Sequence, residues 1–198
     1  MDEAALGFRH HTGWAAMVVL AGPAESPVLV DRRQVQLQDP AYPAQVYHAA
    51  EGLDLAAAGE LVERAGRAAR MAADLVLKEA LASLHAAGRR VVGVALVAEV
   101  RALPSLEAIL GSHMLAHSAE GELYRDVLGE SVAALGLPLV QVSPRNVRAQ
   151  VTAARPRLEP VLDEILAALG RGAGPPWRAD HKQAALAAML ALTAERGR

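Results

Sequence analysis

Arg90-Val91-Val92-Gly93-Val94-Ala95-Leu96-Val97-Ala98-Glu99 is the stretch whose reading decides the fold. It is an unbroken, valine-rich apolar run that ends on a carboxylate. A strand apolar on both sides belongs in a sheet covered above and below, and parallel or mixed sheets with helices on each face provide that cover. A long helical pattern comes before the run and helical segments come after it. The run therefore reads as the middle strand of a layered α/β domain. Glu99 then stands at the carboxyl end of a central strand, where open α/β sheets bind their ligands.

Upstream, Ala4–Arg9 and Trp14–Leu20 read as two strands interrupted by His10-His11-Thr12-Gly13. Gly22-Pro23 and Ser26-Pro27 punctuate a turn. A third strand covers Val28 to Leu37. The period of two over Gln34 to Gln38 gives it one wet face and an edge position. This third of the chain is a β-meander. Asp39–Asp54 has no clear period and reads as a connection. From Leu55 to Ala87 the period becomes helical, with Leu61, Ala65, Ala68, Ala72 and Val76 on one stripe. Glu60/Arg64, Glu63/Arg67 and Asp74/Lys78 form i,i+4 pairs in the favourable order. Gly88 is the expected stop of this helix.

Downstream of the central run, Pro104-Ser105 opens a short helix interrupted at Gly111. Glu120–Leu135 is a clear helix with Leu123, Val127, Leu128 and Leu135 inward. Leu137–Val142 is a strand, and Ser143-Pro144 is read as the start of the next helix. Leu158, Leu162, Ile165 and Leu169 mark a helix ending at Gly170. Asp180–Ala194 is the last, with Ala185, Met189 and Leu192 inside. Asp180 and Gln183 have capping-box spacing.

The totals bound the class. The chain has 198 residues, enough for one domain, 1–198, with a real core. With 53% hydrophobic and only 3% aromatic residues, that core must be built from Ala, Val and Leu. A net charge of −2 argues against a surface that is basic all over. The absence of cysteine excludes disulfides and thiolate metal sites and fits a cytoplasmic protein. No apolar run approaches the ~18 residues of a membrane span, so no membrane partner is expected.

The element order β-β-β-α-β-α-β-α is that of the ribonuclease H-like fold, and several details resemble the RuvC-type Holliday-junction resolvases. Gly7-Phe8-Arg9 followed by Thr12-Gly13-Trp14 resembles that family's first strand and turn, Gly-Ile-Asp and then Thr-Gly-Tyr. Ala98-Glu99 resembles its second acidic position. Leu137-Pro138 through Ser143-Pro144-Arg145-Asn146-Val147 is similar to its glycine-leucine-proline, strand, serine-proline passage. Arg178-Ala179-Asp180 resembles the opening of its last helix.

The resemblance implies a five-stranded mixed sheet, a three-strand antiparallel meander plus two parallel strands, with helices on both faces. It also implies a nuclease site of three or four carboxylates holding two Mg²⁺ ions about 4 Å apart. The chain departs from that pattern where the first-strand aspartate is replaced by Arg9, which cannot bind a cation. Glu99 and Asp180 remain as candidate catalytic remnants. The expected arrangement has the Arg9 guanidinium pairing with one or both of them.

His10, Glu99, Asp180 and His181 are candidate metal ligands, although only one of His10 and His11 can face a given side of a strand. His113 and His117 have the i,i+4 spacing of two ligands on one helix face. Arg145, Arg148, Arg155 and Arg157 cluster after the last strand. Arg9, Arg145 and Arg148 are the candidate binding residues for a phosphate backbone.

The first reading is a catalytically degenerate RuvC-like protein serving as a binding or assembly module, with nucleic acid as the candidate partner and no cofactor expected. The alternative is an active nuclease or phosphodiesterase using Mg²⁺ or Mn²⁺. The third is a structural homodimer joined through an alanine-rich helix face.

Overall fold

In the computed structural model, residues 2–194 are described. Five strands form one sheet in the order β3-β2-β1-β4-β5. β1 (Asp2–His11), β2 (Trp14–Ala21) and β3 (Val28–Gln36) are the antiparallel meander. β4 (Arg89–Val97) lies beside β1 and parallel to it, and β5 (Leu139–Val142) lies parallel to β4. The central run is thus flanked on both sides, as its two apolar faces require. Val92, Ala95 and Val97 enter one core, while Val94, Leu96 and Ala98 enter the other.

The first face is covered by α2 (Leu55–Ala86) and α4 (His113–Ala134), with the short α1 (Val46–Ala49) and α3 (Leu106–Leu110) at one end. α2 starts where Asp54 accepts a hydrogen bond from the Ala57 N–H (2.9 Å), and it stops before Gly88, whose φ of 71° is open only to glycine without strain. Its buried stripe runs through Ala65, Ala69, Ala73, Leu77, Ala80 and Leu84, so Ala68, Ala72 and Val76 lie one position off the inner line and are half-buried. Asp74 pairs with Arg70 at 3.1 Å and not with Lys78.

The second face is covered by α5 (Val147–Ala154), α6 (Leu162–Ala173) and α7 (Ala179–Ala194). α7 is buried at every position from Ala184 to Leu192. A helix apolar on all sides belongs inside a layered protein, and α7 lies between the sheet and α5. Its small residues let it sit directly on β1. A Cβ placed on Gly7 would fall 1.9 Å from the Ala184 carbonyl oxygen, so only glycine allows this approach.

Several boundaries differ from the sequence reading. β1 runs through both histidines, because their backbones continue the ladder with Trp14 and Ala15. α4 begins at His113, where Ser112 accepts the Leu115 N–H. Ser143-Pro144 form a turn, and α5 begins only at Val147 behind Asn146. α6 continues through Gly170, whose bare backbone face receives the Trp177 ring, and ends at Ala173 with Gly174 as its cap. Asp180 is the second residue of α7 and not its cap. His181 takes the capping-box role from inside the helix, its Nδ1 accepting the Arg178 N–H at 3.1 Å. Among the described residues no helix is long and apolar enough to cross a membrane.

Candidate functional site

The parallel pairing of β1 and β4 carries both strands to the same edge of the sheet. Arg9 is the register partner of Val97, and Glu99 follows two residues later. Arg9, His10, Glu99 and Arg101 line a cleft of about 590 Å³ whose far wall is the first three turns of α4, including His113, His117 and Glu122. Pro144, after β5, closes its rim. Asp180 opens instead into a neighbouring hollow of about 360 Å³ with Trp14, Arg32, Arg33 and Arg178.

Arg9 stands between the two acids and is half-buried. Burial lowers its pKa, and the charges of Asp180 and Glu99 oppose that shift. The field of both carboxylates therefore reaches the guanidinium. Among the described residues it makes no direct ion pair with either. Its Nη1 donates to the His10 carbonyl oxygen at 3.1 Å, and its buried Nε has no partner. The expected bidentate pair is thus replaced by through-space attraction.

Side-chain alternation separates the two adjacent histidines. His11 faces α7, stacks on Trp14 with ring centroids 4.2 Å apart, and brings Nε2 within 3.1 Å of Asp180 Oδ1. His10 faces the other side, where Nδ1 meets the Val97 carbonyl oxygen at 3.2 Å. Burial first, and then the neighbouring charges of Arg9, His11 and Arg125, hold its pKa down at about 4. His10 is therefore turned away from Asp180, and His11 is the histidine beside it. His181 faces its own helix end and lies parallel to Trp177, with centroids 5.8 Å apart.

The arginines after β5 are not one free patch. Arg148 forks onto Asp163 at 2.7 and 2.9 Å, and Arg155 pairs with Glu25 at 3.2 Å. Arg145 is exposed. The cleft itself offers Arg101, which the sequence reading did not single out. Its backbone N–H lies 3.5 Å from Glu122 Oε2, and Glu122 is held by Arg125 at 2.6 Å.

The largest omission of the sequence reading lies at the α4 wall. His113 and His117 do share one face, but a third histidine, His48 on α1, meets them there. Behind it lies Glu120, which is fully buried. The i,i+4 spacing of the α4 pair is visible in the sequence. His48, 65 positions upstream of His113, carries no local sign of the contact.

The sheet order, the mixed pairing and the two helical layers make this the ribonuclease H-like fold in its RuvC-like form. A Thermus thermophilus RuvC in complex with a Holliday junction substrate superposes with a TM-score of 0.56, covering 98% of this chain and 96% of that one at 15% identity. A second Thermus thermophilus RuvC structure gives a TM-score of 0.52 over the same shares of both chains at 17% identity. The sequence matches no protein-family model, and no curated protein matches it.

Proposed function

We propose that the chain is a catalytically degenerate RuvC-like protein, acting as one domain that serves as a binding or assembly module, with nucleic acid as the candidate partner. The observation that carries this reading is Arg9. A permanently charged, half-buried guanidinium lies in the field of both Glu99, just past β4, and Asp180, in the first turn of α7. Two divalent ions need several hard oxygen donors converging on one space. Here Glu99 and Asp180 open into separate hollows, and the group between them is a cation. This donor set does not suit a metal pair. The nuclease reading with His10 or His181 as an extra ligand is weakened by where those rings point.

On the binding reading, Arg9 and Arg101 in the cleft and Arg145 near its rim attract phosphate oxygens. One structural neighbour is a RuvC with a Holliday junction, so branched DNA is the first ligand to try. The test pairs cleavage with retention. Four-way junctions incubated with Mg²⁺ or Mn²⁺ should remain intact, while retention should weaken as salt rises, through loss of phosphate contacts. Robust cleavage abolished by Glu99→Gln would establish the active nuclease instead. Absence of retention together with a stable dimer would favour the structural reading. Arg9→Asp restores the missing acid and should create Mg²⁺ uptake measurable by calorimetry.

A further inference from the structure

We propose that His48, His113 and His117 form a binding site for a single transition-metal ion, Zn²⁺ by donor chemistry, with Glu120 orienting His48 from behind. The three rings make a nearly equilateral group, with centroids 4.7, 4.4 and 4.5 Å apart. His48 Nε2 lies 3.0 Å from His113 Nδ1, and His117 Nε2 lies 3.1 Å from His113 Nε2. One ring nitrogen from each residue falls within 4.8 Å of the other two. Three nitrogens bound tetrahedrally at zinc distances stand about 3.3 Å apart. The two short contacts use different nitrogens of His113, so binding one ion requires the exposed His113 and His117 rings to rotate until one nitrogen from each faces His48 Nε2.

Glu120 is what separates this group from a chance meeting of surface histidines. Its carboxylate is fully buried, and Oε1 accepts from the His48 ring Nδ1 at 2.8 Å and from the His48 backbone N–H at 3.3 Å. That pairing makes Nδ1 the protonated nitrogen of neutral His48 and leaves Nε2 bare on the side of the other two histidines. A carboxylate behind a ligating histidine, fixing its tautomer and raising its basicity, is the usual outer partner of a metal site. Oε2 of Glu120 is buried without a partner. A buried carboxylate in that state calls for positive charge close by, and a cation held by His48 supplies it.

The access is right as well. His48 is half-buried, whereas His113 and His117 are exposed and line the cleft that also holds Arg9 and Glu99. Three protein ligands with an open fourth position describe a site that takes water or an anionic oxygen, not a closed structural one. The proposal does not depend on the nucleic-acid reading, and it is tested without nucleic acid.

The full-length protein, stripped with chelator and dialysed, is titrated with Zn²⁺ by calorimetry, and separately with Co²⁺ by visible absorption. One ion per chain is expected, with the intense d–d bands of a tetrahedral Co²⁺ centre. His117→Ala, an exposed change that should leave the fold intact, should abolish stoichiometric uptake. Glu120→Gln should weaken it by about 10–100-fold. An alternative chain of hydrogen bonds satisfies the same distances, running from His117 through His113 and His48 to Glu120. If Zn²⁺ uptake is absent, or persists unchanged in His117→Ala, the group is that hydrogen-bonded chain and the metal site is refuted.

Discussion

Replacing Gly7 by alanine tests the contact that seats α7, and with it Asp180, against the first strand. The added Cβ would lie 1.9 Å from the Ala184 oxygen, 2.6 Å from the Ala188 nitrogen and 2.9 Å from the Ala184 carbonyl carbon. Non-bonded heavy atoms rest about 3.5 Å apart, so α7 must retreat from β1 by roughly 1.5 Å. All three obstructing atoms are backbone, and no rotamer change can relieve them. Overpacking costs about 1–3 kcal/mol where side chains yield. Here the whole buried run from Ala184 to Leu192 must move, so a loss of at least ~3 kcal/mol is expected. For a chain of this size that lowers Tm by roughly 6–12 °C. Urea unfolding should show a lower midpoint with an unchanged slope. Gly59→Ala is the control, because its Cβ would meet only Leu106 Cδ2 at an ordinary 3.7 Å inside α2. That variant should gain about 0.5–1 kcal/mol from helix propensity. A loss below ~1 kcal/mol for Gly7→Ala would mean that α7 does not press on β1 as described.

His10 is held at about 4 against an ordinary 6.5, so between those values the unfolded chain binds the extra proton. The resulting stability is complete above pH 6.5 and falls as pH drops towards 4, by about 3 kcal/mol in all. Urea unfolding of His10→Asn should lose this component, and an identical pH profile for variant and parent would count against a buried neutral His10. Tyr124 is 2% exposed, donates its hydroxyl to the Ala44 carbonyl oxygen at 3.1 Å, and has its pKa pushed up to about 12, chiefly by burial. Tyr124→Phe should cost about 1–2 kcal/mol in thermal unfolding by leaving that carbonyl unpaired, and a neutral result would show that water replaces the hydroxyl. Leu77→Ala, at a fully buried position of α2, should cost about 2–5 kcal/mol in the same measurement. A cost near zero would place Leu77 outside the core.

What could be read from the residues alone is what depends on local pattern. The two-faced apolar run of β4, the meander, the long α2 and its stop at Gly88 are written in periods of two and 3.6 and in turn residues, because backbone geometry repeats along the chain. The five-stranded mixed sheet was implied by the family resemblance that the order of those elements supports. The sequence also singled out Arg9 and Glu99 near strand ends and Asp180 at the opening of the last helix. Their spacing was not legible. Whether Arg9 pairs with the acids or stands between them depends on how far α7 sits from β1, and that is set by Gly7 and the alanines across from it. The choice of His11 over His10 as neighbour of Asp180 needed the strand to continue through both residues, which the ladder with β2 decides. The stripe of α2 shifted by one position because packing against the sheet selects the face, and an alanine-rich helix has several nearly equivalent faces. The meeting of His48 with His113, His117 and Glu120 is wholly tertiary. It joins two helices distant in sequence, and the attraction that holds it acts only once the sheet has brought them together.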